Sequence, residues 1–525
     1  MTRLSRAGLL LSLGLTACSP ASRPESASPT PAAAKPTLLV FITVDQLRPE
    51  YLDRFRSELS GGLARLLTGG AVFVDGHHDH AITETAPGHA TTMSGRFPRS
   101  TGITRNIAGV NDNAWPLLGA RDLGAAPFRF RGTTVTDWLS AANPATRAFS
   151  VSAKDRSAIL PIGRGKHEVY WLANNGTITT STWYRDTLPT WVKRFNALRI
   201  PHGYAGRAWT PLMPDAAYPE VDSVPIEAFG RNQTFPHRFP ADSNAAAAQM
   251  RFSPMVDELT SRFALTGFRQ LGLGRGPATD VLAVSFSGTD YVGHFYGPES
   301  KEQHDQILRL DRMLGAFLDS LYAERDGSRI IVALTADHGG GLIPELHGKL
   351  RVGIEPAMAA ARALVRKAAG DTNAVDFESG AFFVDSAGLA RSGLTVEQVT
   401  AAFSDAARKI PGVAQVDRFA DLSRRNLAKD ELARRWLNMF ADDMLPVAVV
   451  TLAEGNIYDY PIVATHGSPH RYDSHVPMIF FGPPFRPGVY RRFVRTVDIA
   501  PTLARALGVT PAEPLDGRPL AEALR

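Results

Sequence analysis

Cysteine is almost absent from this chain: Cys18 is the only one among 525 residues. A lone thiol excludes an intrachain disulfide framework and a cysteine-ligated zinc site. Long apolar runs are scarce near the N-terminus too. The stretch Ala7 to Leu15 is too short for a bilayer-spanning helix, which takes about 20 apolar residues. Charge of one sign is not concentrated anywhere. The 57 Lys and Arg residues against 52 Asp and Glu give a formal net charge of +5, but the basic residues are scattered without runs or interleaved aromatics. That pattern is a solvated surface and argues against nucleic acid as a partner. A G-x-S-x-G nucleophile elbow is missing, which removes the usual serine hydrolases, and no internal repeat is present.

What is present begins at the N-terminus. Arg3 and Arg6 precede the apolar stretch, and Leu15-Thr16-Ala17-Cys18 follows it, the order of a secretory signal. Leu-Thr-Ala-Cys resembles the bacterial lipobox, in which the cysteine is lipidated and becomes the new N-terminus. The expectation is a signal peptide over 1–18 and a location in the periplasm or cell envelope. The lipid on Cys18 would be the sole membrane contact; a plain signal peptide cut nearby is the alternative. Residues 19–36, rich in Ser, Pro and Ala, read as a tether. Asn175 and Asn232 open Asn-x-Thr sequences, acceptors only in a eukaryotic secretory pathway.

The folded body is expected over 37–525. Thr37 to Val44 is a continuous β-branched and aromatic run that ends in Asp45, the pattern of a buried central strand in a parallel sheet. Val281 to Phe286 ahead of Asp290, and Ile330 to Leu334 ahead of Asp337, repeat that design. Open α/β sheets gather ligand groups beyond the carboxyl ends of their strands, so three such strands point to one shared crevice. Residues about 105–245, rich in Pro, Gly, Trp and Tyr, read as an insertion capping the crevice. Residues about 345–455, with helical patterns at Ile354–Ala368 and Val396–Lys409 beside a short strand at Gly380–Val384, read as a second α+β insertion. The core resumes with a strand at Met478–Phe481 and closes on a helix at Asp498–Leu507.

Three motifs carry chemistry. Asp290 and His294, four apart, share a face of one helical turn, and carboxylate with imidazole suits zinc or a similar divalent ion. Adjacent Asp337 and His338, followed by Gly339 and Gly340, present diverging side chains able to serve two ions. Thr85 precedes Ala86, Pro87 and Gly88, a helix start where free backbone N–H groups form a phosphate cradle. Its hydroxyl needs a base or a metal to become a nucleophile. Each motif alone also has an ordinary structural reading: a chance Asp and His pair, an Asp-capped helix, a Thr N-cap.

Taken together and in order, the Asp after the first strand, T-x-P-x-H, D-x-x-x-H, D-H-G and H-G resemble the alkaline phosphatase superfamily across nearly the whole mature chain. The resemblance implies an α/β fold, a three-layer α/β/α sandwich with a mostly parallel central sheet and inserted cap subdomains. It makes Asp290, His294 and His466 the ligands of one metal ion. Asp45, Asp337 and His338 hold the other, with Thr85 coordinated to it. Two zinc ions are the implied cofactors, with manganese or cobalt accepted by the same donors. They would clamp the attacking and leaving oxygens while Thr85 forms a phosphothreonine intermediate. His475, in the same loop as His466, is the alternative last ligand. Ser152 to Pro161 resembles the Lys-Asp-Arg segment of the PafA-type bacterial alkaline phosphatases, which implies that Lys154 and Arg156 reach the phosphate, and Asn106 matches their asparagine on a phosphoryl oxygen. The expected activity is hydrolysis of small-molecule phosphate monoesters by a monomer. A nucleotide pyrophosphatase or phosphodiesterase shares the metals, the threonine and the asparagine, but should lack the Lys and Arg pair. Sulfatases need an oxidisable Cys or Ser where Thr85 stands, phosphomutases sit poorly with an export signal, and a catalytically dead lipoprotein should have lost ligands that are all here.

Overall fold

The computed structural model describes residues 35–106, 109–369, 373–389 and 393–525. The expected signal peptide, Cys18 and almost all of the tether lie outside the described residues. Ten strands form the central sheet: β1 (Leu38–Val44), β2 (Ala71–His77), β3 (Ala148–Ser152), β4 (Glu168–Leu172), β5 (Ile178–Thr179), β6 (Asp280–Phe286), β7 (Ile330–Thr335), β8 (His475–Phe481), β9 (Gly488–Tyr490) and β10 (Val494–Arg495). Their spatial order is β9-β2-β8-β7-β1-β6-β3-β4-β5, with β10 beside β2. The pairs around β1 and β6 are parallel, and β8 runs antiparallel to both β2 and β7. The fold is therefore α/β with a mostly parallel central sheet.

The unbroken apolar runs follow from burial on both faces. In β1, Leu38, Val40, Ile42 and Val44 pack into one core and Leu39 and Phe41 into the other, the alternation a pleated strand imposes. The helices Met255–Leu271 and Lys301–Glu324 cover the first face, and Thr85–Ser94 and Ile499–Leu507 cover the second. The strands read from the sequence at 37–44, 281–286, 330–334 and 478–481 and the closing helix appear within a few residues of their expected bounds.

One stretch differs from the sequence expectation. Residues about 105–245 contain β3, β4 and β5, which extend the central sheet beyond β6. These strands are two to five residues long and lie among Pro, Gly and aromatic loops, so periodicity had too few residues to register them. The second stretch holds a separate four-stranded sheet made of Val375–Glu378, Ala381–Val384, Val413–Arg418 and Ala448–Leu452. It has its own core with the helices Glu355–Ala369 and Val396–Ala407, where Phe382 stacks on Phe403 at 3.8 Å. Among the described residues, no helix is long and apolar enough to cross a membrane.

Candidate active site

The register of the central strands aligns their carboxyl ends. Val44 pairs with Phe286, and Thr43 pairs with both Ser285 and Thr335, so Asp45, the helix after β6 and Asp337 after β7 emerge at one level. The backbone fixes Asp45 through its N–H to Phe286 O at 2.9 Å. Its carboxylate accepts from Ser285 Oγ at 2.6 Å and Ser287 Oγ at 3.1 Å. The helix Gly288–Tyr296 puts Asp290 and His294 on one face, Oδ1 to Nε2 at 3.2 Å. The loop ahead of β8 brings His466 Nε2 to 3.5 Å from the same Asp290 oxygen. Asp290, His294 and His466 thus offer three ligand atoms within 4.8 Å of one another.

Of the other predicted group, Asp45 and Asp337 come together in a cluster completed by His89, and His338 stands beside Asp337. Asp45 and Asp337 are joined by His89, whose Nε2 is 3.5 Å from Asp45 Oδ1 and whose Nδ1 is 3.3 Å from Asp337 Oδ2. His338 Nε2 lies 3.3 Å from the same Asp337 oxygen and 3.5 Å from Thr85 Oγ1. Sequence reasoning missed the part His89 plays here. The available signal was its position four residues after Thr85, on the same helical face. Its ring nitrogens also contact Thr85 O at 2.9 Å and Ser285 Oγ at 3.1 Å, so it ties the helix start to β6.

Thr85 opens the helix Thr85–Ser94, all ten residues of which are buried. The next amide, Ala86 N, donates to Asn106 Oδ1 at 2.8 Å, and Asn106 N donates to Glu84 Oε2 at 2.8 Å. These bonds hold Asn106 beside Thr85 with its side-chain NH2 left as a donor. Lys154 follows β3, and its Nζ sits 2.9 Å from Asp45 Oδ2 and 2.5 Å from Asp290 Oδ2, touching one carboxylate of each group. Arg156 is less engaged: its Nη1 is 3.6 Å from Asp155, and its buried Nε has no hydrogen-bond partner. His475 is placed elsewhere. Its Nε2–H donates to Val74 O at 2.8 Å, its ring stacks on His77, and the Arg471 guanidinium spans His77 and Asp75 where a cation would otherwise sit.

The donor chemistry suits divalent ions. His294, His338 and His466 each donate Nδ1–H to a backbone carbonyl, Ala464 at 2.7 Å, Gly339 at 2.8 Å and Thr83 at 2.8 Å. That fixes the tautomer and leaves Nε2 with its lone pair toward the carboxylates, the arrangement metal-binding imidazoles need. Burial and the neighbouring His466 push the His338 pKa well below the usual imidazole value, so its ring is neutral. Burial alone would raise Asp290, yet His294 and Lys154 hold it well below the carboxylate range, keeping it ionised. Burial alone would lower Lys154, but Asp290 and Asp45 hold it above its ordinary value. Asp337 Oδ2 is buried without a well-formed hydrogen bond. Three buried carboxylates beside imidazoles whose Nδ1 atoms are held by backbone carbonyls are a set built for cations.

The chain is similar to known proteins over most of its length. The family model "Type I phosphodiesterase / nucleotide pyrophosphatase" matches residues 39–353. The alkaline phosphatase PhoK of a Sphingomonas species is 31% identical, over 93% of this chain and 91% of its own. The alkaline phosphatase PafA of Elizabethkingia meningoseptica is 29% identical, over 95% of this chain and 96% of its own. The crystal structure of wild-type alkaline phosphatase PafA superposes with a TM-score of 0.88 at 28% identity, covering 94% of this chain and 100% of that one. The chain belongs to the type I phosphodiesterase/nucleotide pyrophosphatase family, and the PafA and PhoK alkaline phosphatases are among the proteins it resembles over nearly its full length.

Proposed function

We propose that this chain, a phosphoric monoester hydrolase of the alkaline phosphatase branch, works through a covalent phosphothreonine at a two-zinc site. The observation that carries the monoester reading is the position of Lys154, whose ammonium touches a carboxylate of each ligand group, with the unpaired Arg156 Nε close by in sequence. A monoester presents a dianionic phosphate, and two cations with directed donors match that extra charge.

Asp290, His294 and His466 would hold one ion and Asp45, Asp337 and His338 the other. Bound there, the ions would lower the pKa of the attacking hydroxyl and balance the charge of the entering and leaving oxygens. Zinc suits the mixed oxygen and nitrogen donors, which also accept manganese or cobalt. The chain's own contribution starts with Thr85 Oγ1, which attacks phosphorus as the bond to the ester oxygen breaks and the alcohol leaves with a proton. The Asn106 amide, Lys154 and Arg156 orient the phosphoryl oxygens and stabilise the charge they carry in the transition state. Water then attacks phosphorus, the Thr85–phosphorus bond breaks, and inorganic phosphate and the free hydroxyl result. A cleft lined by Glu84, Ser379, Tyr458, Tyr460 and Gly467 adjoins His466 and would receive the leaving group.

The family description favours one second reading, a phosphodiesterase. The specificity constants for p-nitrophenyl phosphate and bis-p-nitrophenyl phosphate, measured on zinc-loaded protein at alkaline pH, separate the two. A large monoester preference is expected. A diester preference would retain Thr85 and the ligands but move the function to the diesterases. Export and a lipid anchor at Cys18 belong to the same proposal. Cys18→Ser is expected to shift the protein from the membrane fraction to the soluble periplasmic fraction, and retention in the membrane fraction would refute the anchor.

A further inference from the structure

Gln46, directly after Asp45, carries none of the roles above, yet its backbone is left-handed, with φ +61°. That conformation is disfavoured for any residue with a Cβ and persists where its surroundings impose it. The residue is 3% exposed. Its contacts are specific: the backbone N–H donates to Asp337 Oδ1 at 3.1 Å, and the side-chain Nε2 donates to Asp290 Oδ1 at 3.0 Å. One residue therefore binds a carboxylate of each ligand group. The left-handed turn is what permits it, because it aims the main-chain N–H at the loop after β7 while the side chain crosses to the helix after β6.

The space for that amide is made by two motif glycines. A Cβ on Gly293, inside the Asp290 to His294 turn, would overlap Gln46 Oε1, and a Cβ on Gly340 would lie 2.9 Å from Gln46 Cδ. The slot is closed to any larger residue at either position. The oxygen it serves on Asp290 is the one facing His294 and His466, and on Asp337 the contact occupies Oδ1 while Oδ2 is left toward His338. A neutral amide donor suits this place, since a carboxylate there would repel both aspartates.

We infer that Gln46 is a positioning residue that locks the two metal-ligand groups in register, its main-chain N–H orienting Asp337 and its side-chain amide orienting Asp290. The inference rests on the two-metal reading. Every substitution except proline keeps the main-chain contact, so loss of the side chain should be felt at the Asp290, His294 and His466 group alone. Orienting hydrogen bonds to metal ligands change affinity by roughly 10- to 100-fold when removed.

Zinc affinity read by chelator competition on the whole folded protein tests this, independently of turnover. The wild type is expected to bind two equivalents; fewer would overturn the two-metal reading and this inference together. Gln46→Ala, and Gln46→Gly, which adopts the left-handed conformation without strain, are each expected to weaken one equivalent by roughly 10- to 100-fold and spare the other. Gly293→Ala should reproduce the loss by expelling the amide, and should add nothing in the Gln46→Gly background. Unchanged binding of both equivalents in Gln46→Gly would overturn the inference while leaving the two-metal reading standing. Equal weakening of both, or a Gly293→Ala effect that adds fully to Gln46→Gly, would overturn it too.

Discussion

Thr85→Ala is expected to lower kcat on the order of 10⁴-fold or more while leaving zinc content and the melting temperature unchanged. The substitution deletes one hydroxyl and one methyl at the start of a fully buried helix. The elements that hold that helix start are elsewhere: Asn106 still accepts from Ala86 N, and His89 still reaches Thr85 O, which is a backbone atom. His338 is 3.5 Å from Thr85 Oγ1, too long for a bond on which folding depends. Acid-quenched wild-type enzyme should carry a phosphoryl group on Thr85 by mass spectrometry, and the variant none. Substantial turnover by a clean preparation of Thr85→Ala would remove this residue as the nucleophile.

Replacing Lys154 and Arg156 together by Ala is expected to cut monoester kcat/KM by about 10³-fold and diester kcat/KM far less. A diester phosphate carries one negative charge, so it gains less from the second cation than a dianion does. An equal loss on both substrates would show that the pair supports the protein and not the dianion. Lys154 also has a structural consequence. Its side chain is 3% exposed and contacts Asp45 and Asp290, which are also buried. Removing one partner of a buried ion pair costs about 3–5 kcal/mol. The double variant should therefore melt at a lower temperature than wild type when stripped of metal, and the difference should shrink when zinc is restored, because the ions supply the missing positive charge. Asp290 makes the stability of the metal-free protein depend on pH. Its pKa is depressed in the folded state, so its stabilisation is present above the ordinary carboxylate range and is lost as pH falls below it.

Much of the candidate site was legible because its residues sit at fixed offsets from strong local signals. Asp45, Asp290 and Asp337 each follow an apolar β-branched run, and Thr85 opens a Thr-x-Pro helix start. What the sequence concealed has a physical cause in each case. His89 marks the end of its T-x-P-x-H motif, but no role at the ligand group is visible until the sheet brings Asp45, Asp337 and Ser285 against it. Gln46 looks like any polar residue after a strand, since neither its left-handed backbone nor the two glycines 247 and 294 positions away leave a local pattern. The strands β3 and β4 are too short to outweigh their loop-rich flanks, although β3 carries the chain to Lys154.

The sequence by itself determined the fold class and the chemical types of the site, because burial on both faces of a parallel sheet demands continuous apolar runs and catalysis at their ends demands carboxylates, imidazoles and a hydroxyl there. Only the tertiary structure decided which of these meet. His466 reaches Asp290 while His475, nine residues on, pairs with β2, because β8 runs antiparallel between β2 and β7 and the loop ahead of it folds over the helix after β6. Sheet order and register act between residues hundreds of positions apart, and no local pattern records them.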